Sequence, residues 1–456
     1  MTINVHFVGI GGIHMSALAH ILLDDGLVVS GCDRSDTPIL DSLRARGANI
    51  RIGHNEHHVT TATQVVRTAA VPESHPEVAR ALELGIPVQT RAELLSEIAA
   101  PRNVITVGGT HGKTTTTGMI AHCMRASGRD VGYVIGGEAP DFCVHARRGT
   151  DPWLVLEADE YGRAFHHYTP SVAVLTNCEP DHLDYYGSQD ALEAAFLQYV
   201  ETLNTGGVLV VGSDSPAARQ ITQRLSAARS DVRVVTCSSR GDADYAIRDL
   251  DDEYLLSTPS GQHRGALQQP GEYQLQNATT ALAALQQAGF DLGQAVEALR
   301  TFRGVNRRFQ LHGDAGGVIV LDDYAHHPTE VSAAIDAAKQ RWPERRTVVL
   351  FQPHTYTRTS YLLDGFRTCF GKADVVYTVD TYAARDMSGE EMTSEQLAAE
   401  IDAPDAEYGG SIEQSARLAA ERATANDLII TMGAGDIDAA GPIILRELRR
   451  SGGGTA

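Results

Sequence analysis

Lysine is almost missing from this chain of 456 residues: only Lys113, Lys339 and Lys372 occur, and none lies between residues 114 and 338. Amine chemistry over that long stretch is therefore excluded, and the remaining basic side chains are arginines. Cysteine is sparse too. Its six copies (Cys32, Cys123, Cys143, Cys178, Cys237, Cys369) are scattered and form no CxxC pair, so a reduced cytoplasmic setting is the simplest account. Basic charge is in deficit, with 58 acidic against 38 basic side chains and a net charge of -20. That balance argues against a nucleic acid or an anionic membrane as partner, since both need a basic surface. It leaves room for a small anionic ligand, which feels only the field of its own pocket. The N-terminus MTINVHFVGIGG lacks the basic region of a signal peptide, and no run of about eighteen apolar residues could span a bilayer. The expectation is a cytoplasmic protein, neither exported by that route nor inserted. Internal repeats and long low-complexity segments are missing as well.

What is present is an ordinary globular composition, 43% hydrophobic and 21% charged, in a chain too long for one core. Apolar runs alternate with helical patterns almost throughout, which predicts α/β structure with largely parallel sheets. Three units follow, at residues 1–100, 101–303 and 304–456. The first has strands Asn4 to Val8 and Leu27 to Gly31 around a helix near Met15 to Leu23, and it ends at a linker, Ala99-Ala100-Pro101-Arg102. The second has strands Trp153 to Leu156, Val172 to Thr176 and Val208 to Val211, then helices Asn277 to Gln287 and Leu292 to Leu299. Strands Val318 to Leu321, Thr347 to Phe351, Val375 to Val379 and Leu428 to Met432 belong to the third, and the tail Ser451 to Ala456 reads as disordered.

The most informative stretch is Val104 to Met119, VITVGGTHGKTTTTGM, an apolar strand followed by a glycine loop, a lysine and a helix. Such a loop grips phosphate: Gly109 and Gly112 let backbone N–H groups approach the oxygens, and the helix aims the positive end of its dipole at them. Thr110, His111 and Thr115 complete the loop, Lys113 would bridge the β- and γ-phosphates, and Thr114 would hold Mg²⁺. Val107 stands where GxxxxGK[ST] has its first glycine. In the first unit Gly9-Ile10-Gly11-Gly12 follows a strand and opens a helix, and Asp33 closes the second strand. This layout predicts a nucleotide diphosphate at the helix N-terminus and Asp33 near a ribose hydroxyl, although His14 takes the place of the third glycine of GxGxxG.

Two acidic segments follow strands of the second unit, Glu157-Ala158-Asp159-Glu160 and TNCEPDHLDYY at 176–186. Their oxygens and imidazole suit Mg²⁺ on a nucleotide triphosphate, with Glu157 and His182 as the metal-proximal pair. Asp181 and Asp184, taken singly, read as helix caps or turn residues rather than ligands, and their coincidence with a phosphate loop is what favours a ligand role. The third unit places Leu321 to Pro328 and Phe351 to Arg358 after strands, and Arg358 could clamp a carboxylate in bidentate fashion. The pairs His57-His58 and His166-His167 read as solvated loop histidines.

Taken together, GIGGIHM at 9–15, GTHGKTTTT at 109–117, EADE at 157–160, TNCEPDHLD at 176–184, RRF at 307–309, DDYAHHPTE at 322–330, FQPHTYTRT at 351–359 and GAGDI at 433–437 resemble the Mur ligase family. The resemblance covers all three units in order. It implies a Rossmann-like N-terminal domain for a UDP sugar, a P-loop ATPase central domain, and a Rossmann-like C-terminal domain that closes over both. The nearest branch joins L-alanine to UDP-N-acetylmuramate in peptidoglycan precursor synthesis, with ATP and Mg²⁺ as cofactors and a monomer or homodimer as the working form.

By the same resemblance Gly9, Gly11, Gly12, His14, Met15 and Asp33 would face the UDP sugar, and Asn277 would contact adenine. Arg308 and Asp323 would reach ATP, while His326, His354 and Arg358 would hold the amino acid. Several members use a carbamylated lysine to hold a second metal ion; the lysine-free stretch from 114 to 338 rules that out for the central domain, as expected of the alanine-adding branch. Three positions depart from the family pattern: His14 for glycine, Tyr273-Gln274 for the His-Asn of PGxHNxxNA at 270–278, and Gly162 for aspartate. These bear on activity rather than on fold. The alternatives are a murein tripeptide ligase of wall recycling on the same UDP sugar, a non-catalytic nucleotide-binding homologue, and an NAD-linked oxidoreductase, which leaves the phosphate loop unexplained.

Overall fold

The structure, a computed structural model, describes residues 3–68, 70–384 and 392–452. The chain divides into two compact units. One comprises Met1–Glu179, Asp190–Ala266 and Gln276–Arg303; the other comprises Pro180–Gln189, Leu267–Leu275 and Gly304–Ala456.

The first unit holds two sheets. Five parallel strands form one of them, in the order Asn49–Ile52, Val28–Asp33, Asn4–Val8, Gln64–Arg67, Val88–Thr90. The strand order reverses at Asn4–Val8, and a crevice for ligands opens at the carboxyl end of such a strand. Gly9 to Gly12 lie there and lead into the helix Ile13–Asp24. The second sheet has ten strands with Asn103–Gly108 near its middle, between Val172–Leu175 and Trp153–Glu157, all parallel. Valine, leucine and isoleucine fill these central strands because helices cover both faces of a parallel sheet. The two sheets meet through the helix Ile13–Asp24, where Ser16 Oγ lies 3.0 Å from His145 Nε2, and through Ser96, whose hydroxyl donates to the His167 carbonyl at 2.6 Å.

The second unit is built on six strands in the order Gln310–Ala315, Val318–Asp323, Asp427–Met432, Arg346–Phe351, Val375–Val379, Ala406–Gly410, parallel except for the first. One core lies around Phe351, Phe366 and Phe370, another around Val320, Leu350 and Ile444.

The α/β reading holds, with shifts at several elements. The second strand runs on to Asp33, and the helix expected from Asn277 begins at Glu272. The strands Tyr245–Leu250, Glu253–Thr258 and Gly261–Gly265, an antiparallel extension of the ten-stranded sheet, were not anticipated. They are polar on one face and interrupted by Asp251-Asp252 and Pro259-Ser260, so alternation alone shows them weakly. At the C-terminus the helix Ala440–Gly452 takes in Ser451 and Gly452, and the rest of the expected tail lies outside the described residues.

Candidate active site

The phosphate loop joins the strand Asn103–Gly108 to the helix Lys113–Ala126. Gly109 and Gly112 take φ of 136° and 80°, left-handed conformations that favour glycine. A Cβ at Gly109 would collide with Thr176 Oγ1, and one at Gly112 with Asn277 Oδ1. The loop is fastened to the segment after the neighbouring strand. His111 donates its N–H to Asn177 Oδ1 at 2.8 Å, Thr176 Oγ1 donates to the His111 carbonyl at 2.6 Å, and the Glu179 N–H donates to Thr110 Oγ1 at 2.9 Å.

Lys113 curls back over its own loop. Its Nζ donates to the carbonyls of Gly109 at 2.7 Å and Thr110 at 2.9 Å, and lies 2.9 Å from Glu160 Oε2. Burial would lower the ammonium, but Glu160, Glu157 and Asp159 outweigh it and raise its pKa, so the charge is kept. Beside it Thr114 Oγ1 donates to Glu157 Oε1 at 3.1 Å, and the Gly136 N–H donates to Glu157 Oε2 at 2.8 Å. Burial raises the Glu157 carboxyl against the pull of Lys113. A hydroxyl and a carboxylate at the mouth of a phosphate loop are hard oxygen donors of the kind Mg²⁺ takes, so the donor set fits that ion. Of the expected metal pair, Glu157 stands here. His182 belongs to the 180–189 segment of the other unit, where its Nε2 lies 3.8 Å from Asp181 Oδ2.

At the first glycine turn Gly9 has φ of 81°, and the N–H groups of Gly9 and Ile10 donate to the Cys32 carbonyl at 2.9 and 3.0 Å. Asp33 Oδ2 accepts the Gly11 N–H at 2.8 Å, so the carboxylate expected near a ribose shapes the turn itself. Gly12 caps the following helix, and Met15 is buried in its first turn. His14 faces the EADE segment: its Nδ1 lies 4.0 Å from Asp159 Oδ2, and Arg91 donates to that same oxygen at 3.2 Å. Burial, with Arg91 next, lowers His14 to about 3, so it is a neutral imidazole at pH 7.

In the second unit Arg358 is 6% exposed and Asp181 4%. The guanidinium donates from Nε at 3.0 Å and Nη2 at 2.9 Å to Asp181 Oδ1, and from Nη1 to His354 Nδ1 at 2.7 Å. Tyr361 donates to the same aspartate oxygen at 3.2 Å. Asp181 is therefore a buried counter-ion, which corrects its reading as a turn residue; Asp184 is exposed in the first turn of Leu183–Tyr186. His326 and His354 have ring centres 6.0 Å apart, and burial first of all lowers them to about 4 and about 3. Asp323 accepts the N–H groups of Phe309 at 2.7 Å and Ala325 at 2.8 Å, and burial raises it to about 6. It thus holds the Arg307–Phe309 turn, in which Arg307 and Phe309 have positive φ. Arg308 lies over the Tyr324 ring and 3.7 Å from Glu330.

The family departures find local reasons. Tyr273 packs into the Phe309–Trp342 core, and Gln274 donates to Gln269, which donates in turn to the Arg308 carbonyl. Both lie in the second unit while Asn277, against Gly112, lies in the first, so the motif is split between the two. Gly162 has φ of 64°, which glycine adopts without strain. Two other expectations need correction. His58 Nδ1 donates to buried Glu77 Oε1 at 2.9 Å, and His166 stacks on Phe165 with its Nε2 2.8 Å from the Ala195 carbonyl, so neither is a solvated loop residue; His57 is exposed. Sequence reasoning gave no role to Glu160, Tyr361 or Gly136. Only Glu160 carried a signal, as the last residue of EADE.

The sequence matches the model for the Mur ligase family, catalytic domain, over residues 4–103, that for the Mur ligase middle domain over 107–285, and that for the Mur ligase, glutamate ligase domain over 307–435. It is 40% identical over 461 residues to the UDP-N-acetylmuramate–L-alanine ligase of Mycolicibacterium gilvum (strain PYR-GCK), covering 98% of this chain and 96% of the relative. Among solved structures it is similar to the UDP-N-acetylmuramate–alanine ligase of Thermotoga maritima, with a TM-score of 0.82 and 25% identity over 98% of this chain and 99% of the other. A murein peptide ligase from Psychrobacter arcticus follows at 0.76 and 25%, with the same coverage. Among the described residues no helix is long and apolar enough to cross a membrane.

Proposed function

The chain belongs to the Mur ligase family, and from that premise we propose that it joins L-alanine to the lactyl carboxylate of UDP-N-acetylmuramate, releasing ADP and phosphate. It is an ATP-dependent carbon–nitrogen ligase of peptidoglycan precursor synthesis. The division of labour assigns residues 1–100 to the UDP sugar, 101–303 to ATP and 304–456 to the amino acid.

A carboxylate is a poor acyl donor. One of its oxygens first takes the γ-phosphoryl group, ADP leaves, and the mixed anhydride so formed has an electrophilic carbonyl. The alanine amine attacks that carbon, and phosphate departs with the oxygen that came from the carboxylate. Lys113, held charged at the loop, neutralises negative charge on the transferring group. The N–H groups at the start of the helix, from Gly112 to Thr115, cradle the phosphates, while His111 spends its own N–H on Asn177, and Asn277 faces adenine. Thr114 and Glu157 would hold Mg²⁺, which when bound supplies further charge neutralisation on phosphate oxygens. Gly9, Gly11, Gly12, His14, Met15 and Asp33 serve the UDP sugar. Arg358 takes the alanine carboxylate, with Asp181 and His354 fixing the plane of its guanidinium, and His326 lines the same pocket.

The observation that carries this reading is the Lys113 arrangement: a buried ammonium on a strand–glycine loop–helix, with a hydroxyl–carboxylate pair beside it. The test is phosphate release from ATP with UDP-N-acetylmuramate and a panel of acceptors. Release that requires L-alanine supports the proposal. Release only with the tripeptide L-alanyl-γ-D-glutamyl-meso-diaminopimelate moves the protein to wall recycling, and no release with either acceptor refutes ligation.

A further inference from the structure

The first sheet carries polar residues on a face that parallel sheets fill with aliphatic side chains. In the register of its two central strands His6 pairs with Ser30 and Val8 with Cys32, so His6, Ser30 and Cys32 point the same way. Glu77, in the first turn of the helix Pro76–Glu83, comes up against them, and His54 and His58 close over from the segment that follows the strand Asn49–Ile52. His6 is 1% exposed, Cys32 and Glu77 0%, and apolar side chains of Val8, Val59, Val65 and Val78 surround them. Burying a carboxylate, a thiol and imidazoles in such a core is costly unless they are fully paired.

The pairing is specific. Cys32 donates its S–H to Glu77 Oε2 at 2.8 Å, and His54 Nδ1 lies 3.1 Å from the same sulfur and 3.8 Å from Glu77 Oε1. The other carboxylate oxygen is held by the Asn55 N–H at 2.8 Å and by His58 Nδ1 at 2.9 Å. His6 Nδ1 lies 3.0 Å from Ser30 Oγ, and the Ser30 hydroxyl donates onward to Asn4 Oδ1 at 3.2 Å. Ser30 must then accept from His6, which puts the ring hydrogen on Nδ1 and turns the Nε2 lone pair toward Glu77 Oε2, 3.4 Å away. Where Nε2 carries no proton, its lone pair and the carboxylate oxygen make a ready pair of donors for a metal ion in a dry core.

We propose that His6 Nε2, Cys32 Sγ, a Glu77 carboxylate oxygen and His54 Nδ1 form a structural site for a zinc-class divalent ion. The His6, Cys32 and Glu77 donor atoms lie within 4.8 Å of one another, and bonds of about 2.0–2.3 Å in a tetrahedron ask for separations of roughly 3.4 Å, a small contraction; His54 Nδ1 stands outside that group, 3.1 Å from Cys32 Sγ and 3.8 Å from Glu77 Oε1, and would swing in as the fourth ligand. Two imidazoles, a thiolate and a carboxylate are the mixed donor set that borderline zinc takes, and thiolate plus carboxylate cancel its charge, as burial demands. The S–H proton that Cys32 donates to Glu77 is released to solvent as the S–metal bond forms. Ser30 and His58 then orient ligands from behind, the usual arrangement around a histidine or carboxylate on a metal. Because the Cys32 carbonyl accepts the N–H groups of Gly9 and Ile10, the ion would brace the strand end that shapes the glycine turn.

The test uses the full chain. Metal content after purification without chelator, then titration with CoCl₂ after chelator treatment, should give about one ion per chain and a near-ultraviolet thiolate-to-cobalt charge-transfer band. Cys32→Ser should lose that band, and Ser30→Ala should keep it while weakening cobalt affinity about 10- to 100-fold. Wild-type protein that retains no zinc and shows no charge-transfer band overturns the proposal, and means that His6 and Glu77 form a plain imidazolium–carboxylate pair. A band that survives in Cys32→Ser overturns it equally, by locating the ion elsewhere. Should Cys32→Ser fail to fold, the wild-type band together with Ser30→Ala still decides.

Discussion

Lys113 and Arg358 are both buried cations with a carboxylate already in place, yet they are assembled in different ways. Lys113 takes two of its partners from its own loop, the carbonyls of Gly109 and Thr110, and Glu160 from one other segment. Arg358 sits on a six-residue helix, and its partners come from His354 one turn back and from Asp181, far away in sequence. The first site is a local conformation that happens to carry a charge; the second is a tertiary construction. A local site is damaged by changing the backbone that makes it, a tertiary one by changing any single partner.

The sharpest way to break the comparison is Lys113→Met. Turnover should fall by about 10³-fold, the upper range for removing one preorganised charge-stabilising group, while circular dichroism stays native. Near-normal phosphate release would take Lys113 out of the chemistry. At the other site Arg358→Lys keeps the charge but not the planar fork, so the KM for the amino acid should rise about 10- to 100-fold with the KM for ATP unchanged. Equal rises for both substrates would remove Arg358 from the acceptor pocket.

Smaller effects sharpen the contrast. Gly112→Ala forces a side chain into φ of 80° and against Asn277, at a cost of about 1–3 kcal/mol. Titration with a fluorescent ATP analogue should show weakened binding, and unchanged affinity would mean the loop is less constrained than its geometry implies. Acid should weaken the fold. His14, His20, His145, His326 and His354 are all lowered from 6.5 to about 3 or 4, mainly by burial. Below pH 6.5 the unfolded chain binds protons that the folded chain refuses, so their stabilisation is full above 6.5 and is lost as pH falls toward 4. Asp323, raised to about 6, works in the opposite direction, adding stability below its ordinary 3.8 that disappears as pH rises through 6. Burial raises Glu157 and Asp322 as well, but it also lowers His75, His122 and His166, so the lowered histidines outnumber the raised carboxyls and fix the sign: urea midpoints should drop from pH 7 to pH 5 by the equivalent of at least about 1.4 kcal/mol, one pKa unit at one group. A flat profile would contradict the buried-histidine picture.

The same contrast explains what the sequence made legible. The glycine loop before Lys113, the glycine turn at Gly9 to Gly12 and the parallel strands are written in contiguous residues, and they stand where the motifs put them. Asp181 could not be read as the counter-ion of Arg358, because nothing local marks a residue in a turn as facing an arginine 177 positions on. His58 and His166 looked like loop histidines since their partners, Glu77 and the Ala195 carbonyl, are remote in sequence. Asp33, expected near a ribose, spends one oxygen on the Gly11 N–H, which a motif cannot show. The antiparallel strands from Tyr245 to Gly265 were hidden by their polar face.

The central claim, activation of the lactyl carboxylate as an acyl phosphate, is tested most directly with UDP-N-acetylmuramate labelled with oxygen-18 in that carboxylate. With ATP and L-alanine present, the released phosphate should carry one labelled oxygen. Release of unlabelled phosphate at the same rate would mean that ATP is hydrolysed without passing through the carboxylate, and would contradict the mechanism.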